Sequence, residues 1–170
     1  MTPFPTAPLK RRFAALVYEL LLVSAVTAVT AIVAGISAIA LNPVSTYLSG
    51  LVTALLMQAG WWYYFRSNWL KKGQTLAMQT WKIGLCNQQG VQPPLPQLRS
   101  RFLWASVFIV FIPLLAYAAL RQQFGIPPMP AFAASLFWLI LPWGFAWLNP
   151  DRQFLYDFLA GTRLVDLKAE

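Results

Sequence analysis

The sequence predicts an all-α membrane protein, a bundle of four transmembrane helices with a cytoplasmic loop that contains a short strand-like segment. Three observations predict it. Of 170 residues, 58% are hydrophobic and only 11% charged, where ordinary soluble domains carry about 25% charged residues, so the chain lacks the polar surface that a water-soluble fold needs. The apolar residues are gathered into long runs. Finally, 13 Lys and Arg oppose 5 Asp and Glu, a net charge of +8, and the bases fall between the apolar runs. In a soluble protein that balance suggests a nucleic-acid partner. Here it is topological, holding loops on the cytoplasmic face near anionic lipid headgroups. A duplex-binding surface needs a clustered basic face on a folded module, so no nucleic-acid partner is expected.

The first segment, Met1 to Pro8, is rich in Pro and Thr and is expected to be disordered. Residues 1–12 then form a cytoplasmic N-terminal tail ending in the bases Lys10, Arg11 and Arg12. The apolar stretch from Phe13 to Leu41 measures about 43 Å as a helix, against a hydrocarbon core of about 30 Å. A signal peptide has the same basic start, and Ala38-Ile39-Ala40 resembles a cleavage site. Such signals use an apolar region of only about 7–15 residues, so this is a retained first span, 13–41.

Asn42-Pro43 breaks the helix, and a neutral turn leads into a second span, 44–64. It ends in Trp61, Trp62, Tyr63, Tyr64 and Phe65 followed by Arg66, an aromatic girdle at the headgroup level. The loop 66–101 carries Arg66, Lys71, Lys72, Lys82, Arg99 and Arg101 and no acid, which makes it cytoplasmic by the positive-inside rule. Within it, Trp81, Ile83 and Leu85 alternate with Thr80, Lys82 and Gly84, the period of a strand, before a turn at Asn87-Gln88-Gln89-Gly90. Pro93, Pro94 and Pro96 extend the chain back toward the membrane. The third span is 102–120 and the fourth 131–148. Pro113 and Pro142 fall inside them, tolerable in lipid where local adjustment re-satisfies the freed carbonyl, and they mark kinks. The segment 149–170 holds three bases and four acids, so parity rather than charge places it: four crossings return it to the cytoplasm. Were Pro142 to make the fourth span re-entrant, it would lie outside.

The chain contains no histidine, which excludes His-based zinc and haem ligation and His general-base catalysis. Cys86 is the single cysteine, so it makes no intrachain disulfide, and without a histidine it is a poor nucleophile. It reads as a small loop residue. No catalytic, cofactor or metal site is expected, and the chain is not read as an enzyme.

Glu19 is the most informative residue. It lies about two turns inside the first apolar stretch and is the only acid in the first 150 residues. An ionisable group at that depth is costly and faces the bundle interior, a partner or water. Arg12, seven residues earlier, shares its face about 10 Å away along the axis. A protonatable carboxylate suits cation or proton coupling, and the plainer alternative is a polar anchor bonded to a neighbouring helix. Ser24 and Ala28, then Thr27, Ala31 and Gly35, then Ala34 and Ala38 follow small-xxx-small spacing, which lets helix backbones approach closely. In the tail, a helix over Asp151 to Ala160 would put Phe154, Leu155, Phe158 and Leu159 on one interfacial face with Asp157 pointing away and Gly161 as terminator. Asp157 is then free to pair with Arg163 or Arg152, or to line a pathway.

Three stretches resemble the RDD family of small bacterial membrane proteins: Arg11-Arg12-Phe13-Ala14-Ala15-Leu16-Val17-Tyr18-Glu19, then Gly73-Gln74-Thr75-Leu76-Ala77-Met78, then Asp157-Phe158-Leu159-Ala160-Gly161-Thr162-Arg163-Leu164-Val165. The resemblance runs from about residue 9 to 166. It implies a functional arginine at the start of the first helix, an aspartate within that helix and a second near the end. Arg12 and Asp157 match two of these positions, and Glu19, one methylene longer, stands where the first aspartate is expected. The resemblance implies a place in the bacterial inner membrane and participation in transport, with cation/proton antiport suggested for some members. The expected function is transport of a small cation or solute by Arg12, Glu19 and Asp157, with Gly73, Gln74 and Thr75 as a loop motif. So small a transporter implies a homo-oligomer. The alternative is a non-transporting scaffold or assembly factor whose basic loop holds a partner or anionic lipid.

Overall fold

A computed structural model describes residues 5–168. Pro8–Gly84 forms one compact unit, and the residues after Gly84, together with those before Pro8, form the other.

The first unit is a helical hairpin and its trailing loop. Helix α1 runs Leu9–Leu41 and ends at the Asn42-Pro43 break. Helix α2, Thr46–Lys72, starts where the Ser45 hydroxyl accepts from the Leu48 N–H at 3.3 Å, an N-cap interaction. It ends at Gly73, whose left-handed φ of 63° an L side chain would resist. A five-residue helix, α3, follows over Leu76–Thr80. The outward face of α1 is apolar, with Leu20, Val29, Ile32, Ile36 and Ile39 all exposed, while Arg12, Ala15 and Ala34 are buried. Thr27 accepts a hydrogen bond from the Trp61 indole of α2 at 2.8 Å. This inverts the pattern of a water-soluble helix, and it is what hydrocarbon around the unit requires.

The small residues of α1 do not all serve close packing: Ala31 and Gly35 are exposed, and a Cβ on Gly35 would meet nothing within 4 Å. The close approach comes from the other helix, where a Cβ on Gly60 would stand 2.4 Å from Thr30 Oγ1. Thr27 and Thr30 also return their own hydroxyls to the carbonyls of Val23 and Val26, so no polar group is exposed to lipid at the contact.

Strand β1, Ile83–Asn87, and β2, Thr162–Asp166, form a two-stranded sheet. Between them stand α4, Leu95–Ser106, a π-helical turn at Val107–Phe111, α5, Ile112–Gln122, then α6, Pro128–Ser135, a 3-10 turn at Leu136–Leu139, α7, Ile140–Leu148, and α8, Leu155–Ala160. The helical stretches Leu9–Leu41, Leu95–Gln122 and Pro128–Leu148 are long and apolar enough to cross a membrane. Helix α2 has the length but is diluted by Gln58, Arg66, Asn68 and Lys71. Each in-span proline follows a turn of altered pitch: the π turn ends two residues before Pro113 and the 3-10 turn three before Pro142. Proline's ring collides with the carbonyl four residues back, and a local change of winding relieves it. The last long helix runs on through Pro142 to Leu148.

Several expectations are corrected. The third helix starts at Leu95, with Pro96 in its first turn where a missing N–H costs nothing, so Gln97, Arg99 and Arg101 are helical rather than loop residues. Of the predicted disordered segment, residues 1–4 lie outside the described residues. Pro5 to Ala7 are ordered by backbone pairing: Thr6 forms an antiparallel bridge with Val165, the Ala7 N–H donates to Leu164 O at 3.0 Å, and the Asp166 N–H donates to Pro5 O at 2.8 Å. Cys86 is a buried strand residue. The tail helix is shorter than expected because an Asn149-Pro150 turn, with the Asn149 side chain accepting from the Asp151 N–H at 2.9 Å, delays it to Leu155.

Candidate functional site

Each unit holds, on a helix, a carboxylate that is buried or half-buried, Glu19 in the first and Asp157 in the second. In the first, Glu19 sits on the α1 face turned to α2. Tyr64 Oη donates to its Oε1 at 2.6 Å, and the Thr75 hydroxyl donates to its Oε2. The same Thr75 oxygen accepts from the Met78 N–H at 3.3 Å and so caps α3. The loop motif thereby acquires a physical meaning: Gly73 turns the chain out of α2, Gln74 donates through Nε2 to Ile83 O at 2.8 Å, and Thr75 ties the loop to Glu19. Arg12, also on α1, is buried to 2% exposure.

In the second unit Asp157 is 1% exposed. Arg101 Nε donates to its Oδ1 at 2.5 Å, and Thr162 Oγ1 donates to the same oxygen at 2.9 Å. The Arg101 guanidinium lies 5.5 Å from the centre of the Tyr156 ring, a cation–π distance. One turn earlier on α4, Gln97 Nε2 reaches the carbonyls of Ala160 and Gly161 at 2.9 and 2.8 Å. These are the orphan acceptors at the end of α8. Gly161 takes a φ of 65°, and its missing Cβ would stand 3.0 Å from that amide nitrogen. Gln97 and Arg101, four residues apart on one face, thus hold α8 from its acid to its terminus.

The predicted geometry of the tail is revised accordingly. Asp157 lies on the buried face of α8 with Tyr156 and Ala160, while Phe158 and Leu159 are exposed. Its partner is Arg101 rather than Arg163 or Arg152, and Arg163 pairs instead with Asp151 at 3.3 Å. Sequence reasoning missed Arg101, Thr162, Gln97 and Tyr64. The first was counted among loop charges and the last among interfacial aromatics. The i, i+4 spacing of Gln97 and Arg101 behind a proline-rich helix start was the signal available. Of the six bases from Arg66 to Arg101, Arg101 is buried and the other five are exposed. Beside the acid centre, Cys86 Sγ lies 3.6 Å from Arg163 O, and burial raises its thiol pKa above the ordinary value while the Arg163 charge pulls the other way.

Apolar-out helices and carboxylates held inside them define a membrane-type helical protein. The RDD family profile matches residues 6–161, nearly the whole chain, and the protein belongs to the RDD family. No curated protein and no solved structure matches it. The second acid motif of the resemblance is built as a unit, since Asp157, Gly161 and Thr162 are respectively the paired acid, the left-handed helix stop and the second donor to that acid.

Proposed function

We propose that the protein is a four-span inner-membrane transporter of a small cation or solute, coupled to protons through Glu19. Parity supports four crossings. Residues 5–7 and β1 both pair with β2, which supports putting the N-terminal segment, the basic loop and the C-terminal strand on one side of a bilayer, with an even number of spans between each pair. Since α1 crosses, α2 crosses with it despite its polar residues; the stretches Leu95–Gln122 and Pro128–Leu148 form the second pair. The shared side carries Lys71, Lys72, Lys82 and Arg99, which makes it cytoplasmic.

The observation that carries the transport reading is the half-buried state of Glu19, whose two oxygens are held by the neutral hydroxyls of Tyr64 and Thr75. Hydroxyls rotate and can accept as well as donate, so the carboxyl can take up a proton, or its oxygens can turn to a cation, without separating an ion pair with those two residues. Asp157, sealed against Arg101, serves as a structural acid. A pathway for a chain of this size would be completed in a homo-oligomer. Purified protein in proteoliposomes with an imposed proton gradient should drive cation flux that Glu19→Gln abolishes; undiminished flux in that variant removes the carboxylate from the mechanism.

A second reading is favoured by the exposure of five bases without an acid among them from Arg66 to Arg99: a scaffold whose loop holds anionic headgroups or a partner. It predicts no flux in the same vesicles and loss of bound lipid or partner when these five bases, at the end of α2, at Lys82 and in α4, are neutralised.

A further inference from the structure

Helix α3 packs against α1 and is fastened to it at both ends. At its start the Thr75 hydroxyl donates to Glu19 Oε2, and just past its end the Trp81 carbonyl accepts from Arg11 Nη1 at 3.3 Å. Arg11 and Glu19 lie about 12 Å apart along the α1 axis, and between them stand Arg12 and Ala15, both buried. Thr75, Ala77 and Met78 are buried, whereas Leu76 and Thr80 are exposed, so α3 has an inner and an outer face. Left-handed backbone bounds the segment, with φ 63° at Gly73 and 49° at Lys82, and the chain turns sharply into and out of it. Five residues fall well short of the roughly 12–15 below which an isolated helix is marginal in water, so the order of α3 depends on its fastenings. The Thr75 hydroxyl carries two bonds at once, since it also accepts from the Met78 N–H at 3.3 Å and caps α3. A proton or cation arriving on Glu19 Oε2 repels the hydrogen donated there; the hydroxyl turns away, and the first fastening is lost.

We propose that α3 is a lid over Glu19, latched by Thr75, and that its release opens the carboxylate to the side of the basic loop. Arg11 is a positioning residue that acts on Glu19 through the far end of the lid. Tyr64 holds the other carboxylate oxygen from α2 and is no part of the moving segment. The lid regulates access to the site of the transport reading and rests on that reading for its use: a carboxylate that exchanges protons or cations needs an entrance that closes.

The test treats the full chain in detergent with a water-soluble carbodiimide. Mass spectrometry follows modification of Glu19, with the sealed Asp157 as an internal control that should stay unmodified, and amide hydrogen exchange is read over residues 76–82. Thr75→Val should speed both about fivefold, the worth of one capping hydrogen bond, and Thr75→Ser should restore the slow rates. Tyr64→Phe removes the other donor to Glu19 without touching the lid, so exchange over residues 76–82 should not change. Arg11→Lys keeps the charge but shortens the reach to Trp81. It should speed exchange and Glu19 modification together, about two- to fivefold, although it stands about two turns from the carboxylate. If Thr75→Val quickens Glu19 no more than Tyr64→Phe does, or if Arg11→Lys leaves Glu19 as slow as before, these are ordinary structural bonds and the lid is overturned. Flux enters neither readout, so the two ideas fail separately: undiminished flux in Glu19→Gln removes the carboxylate from transport, whereas these rates decide the lid.

Discussion

Glu19 and Asp157 are both carboxylates on helices, yet their surroundings give them opposite characters. Asp157 is sealed, and its Oδ1 receives a guanidinium and a hydroxyl within one small helix-and-strand unit. Glu19 is half-buried and held by two hydroxyls, one of them also the cap of a five-residue helix. A buried acid paired to a buried base is fixed, because removing either partner strands a charge. An acid held by hydroxyls gives up less when its protonation changes. The proposed transport reading uses that difference, giving Asp157 a structural part and Glu19 a chemical one.

The largest expected effect tests the sealed centre. Asp157→Ala leaves Arg101 buried without its acid and should destabilise the protein by about 3–5 kcal/mol, read as a fall in thermal unfolding temperature in detergent. The pair Asp157→Leu with Arg101→Met should recover most of that loss. A cost for Asp157→Ala no greater than that of Glu19→Gln would erase the distinction between the centres. Next is the helix contact that presents Glu19: Gly60→Ala drives a methyl into Thr30 and should cost about 1–3 kcal/mol, with Thr30→Ala relieving it in a double-mutant cycle. Gly161→Ala, forced into a left-handed φ against Gln97, should cost about 1–2 kcal/mol. Removing single donors from Glu19 should cost less, about 1 kcal/mol for Tyr64→Phe and slightly more for Thr75→Val, which also loses the cap of α3. A greater loss from Tyr64→Phe would show that Glu19 is as rigidly structural as Asp157.

The smallest effect is a pH dependence. Burial raises the Cys86 pKa in the folded chain, so above the ordinary thiol value the unfolded state binds fewer protons than the folded one. Stability is therefore unaffected at neutral pH and declines as pH climbs through the ordinary thiol range toward the raised folded value. Maleimide labelling at pH 7 should be slow in folded protein and fast after denaturation, and Cys86→Ser should flatten the alkaline limb.

The apolar runs and the family motifs were legible in the sequence because length and composition alone specify a membrane helix. So were the helix stops at Asn42-Pro43 and Gly161 and the strand at Ile83, all set by local backbone chemistry. What the sequence concealed was pairing at long range. Arg101 reads as one more loop base until α4 places it one turn beyond Gln97 and against α8. Tyr64 is indistinguishable by type from Trp61, Trp62 and Tyr63. Strand β2 is only five residues long and buried at Thr162, Leu164 and Val165, so it lacks the alternation that reveals a half-exposed strand. The segment at Pro5 to Ala7 forms no structure of its own and gains it only by adding to that strand.

The clasp between Thr6 and Val165 joins residues about 160 positions apart, which has a consequence for biogenesis. During translation the early segment has no mate until the ribosome has made almost everything that separates the two, so this part of the sheet closes after the intervening helices have been inserted. Closing so long a loop is slow on entropic grounds. The clasp is therefore a late assembly step, and a bulky fusion placed directly ahead of Pro5 should hinder maturation while leaving insertion intact.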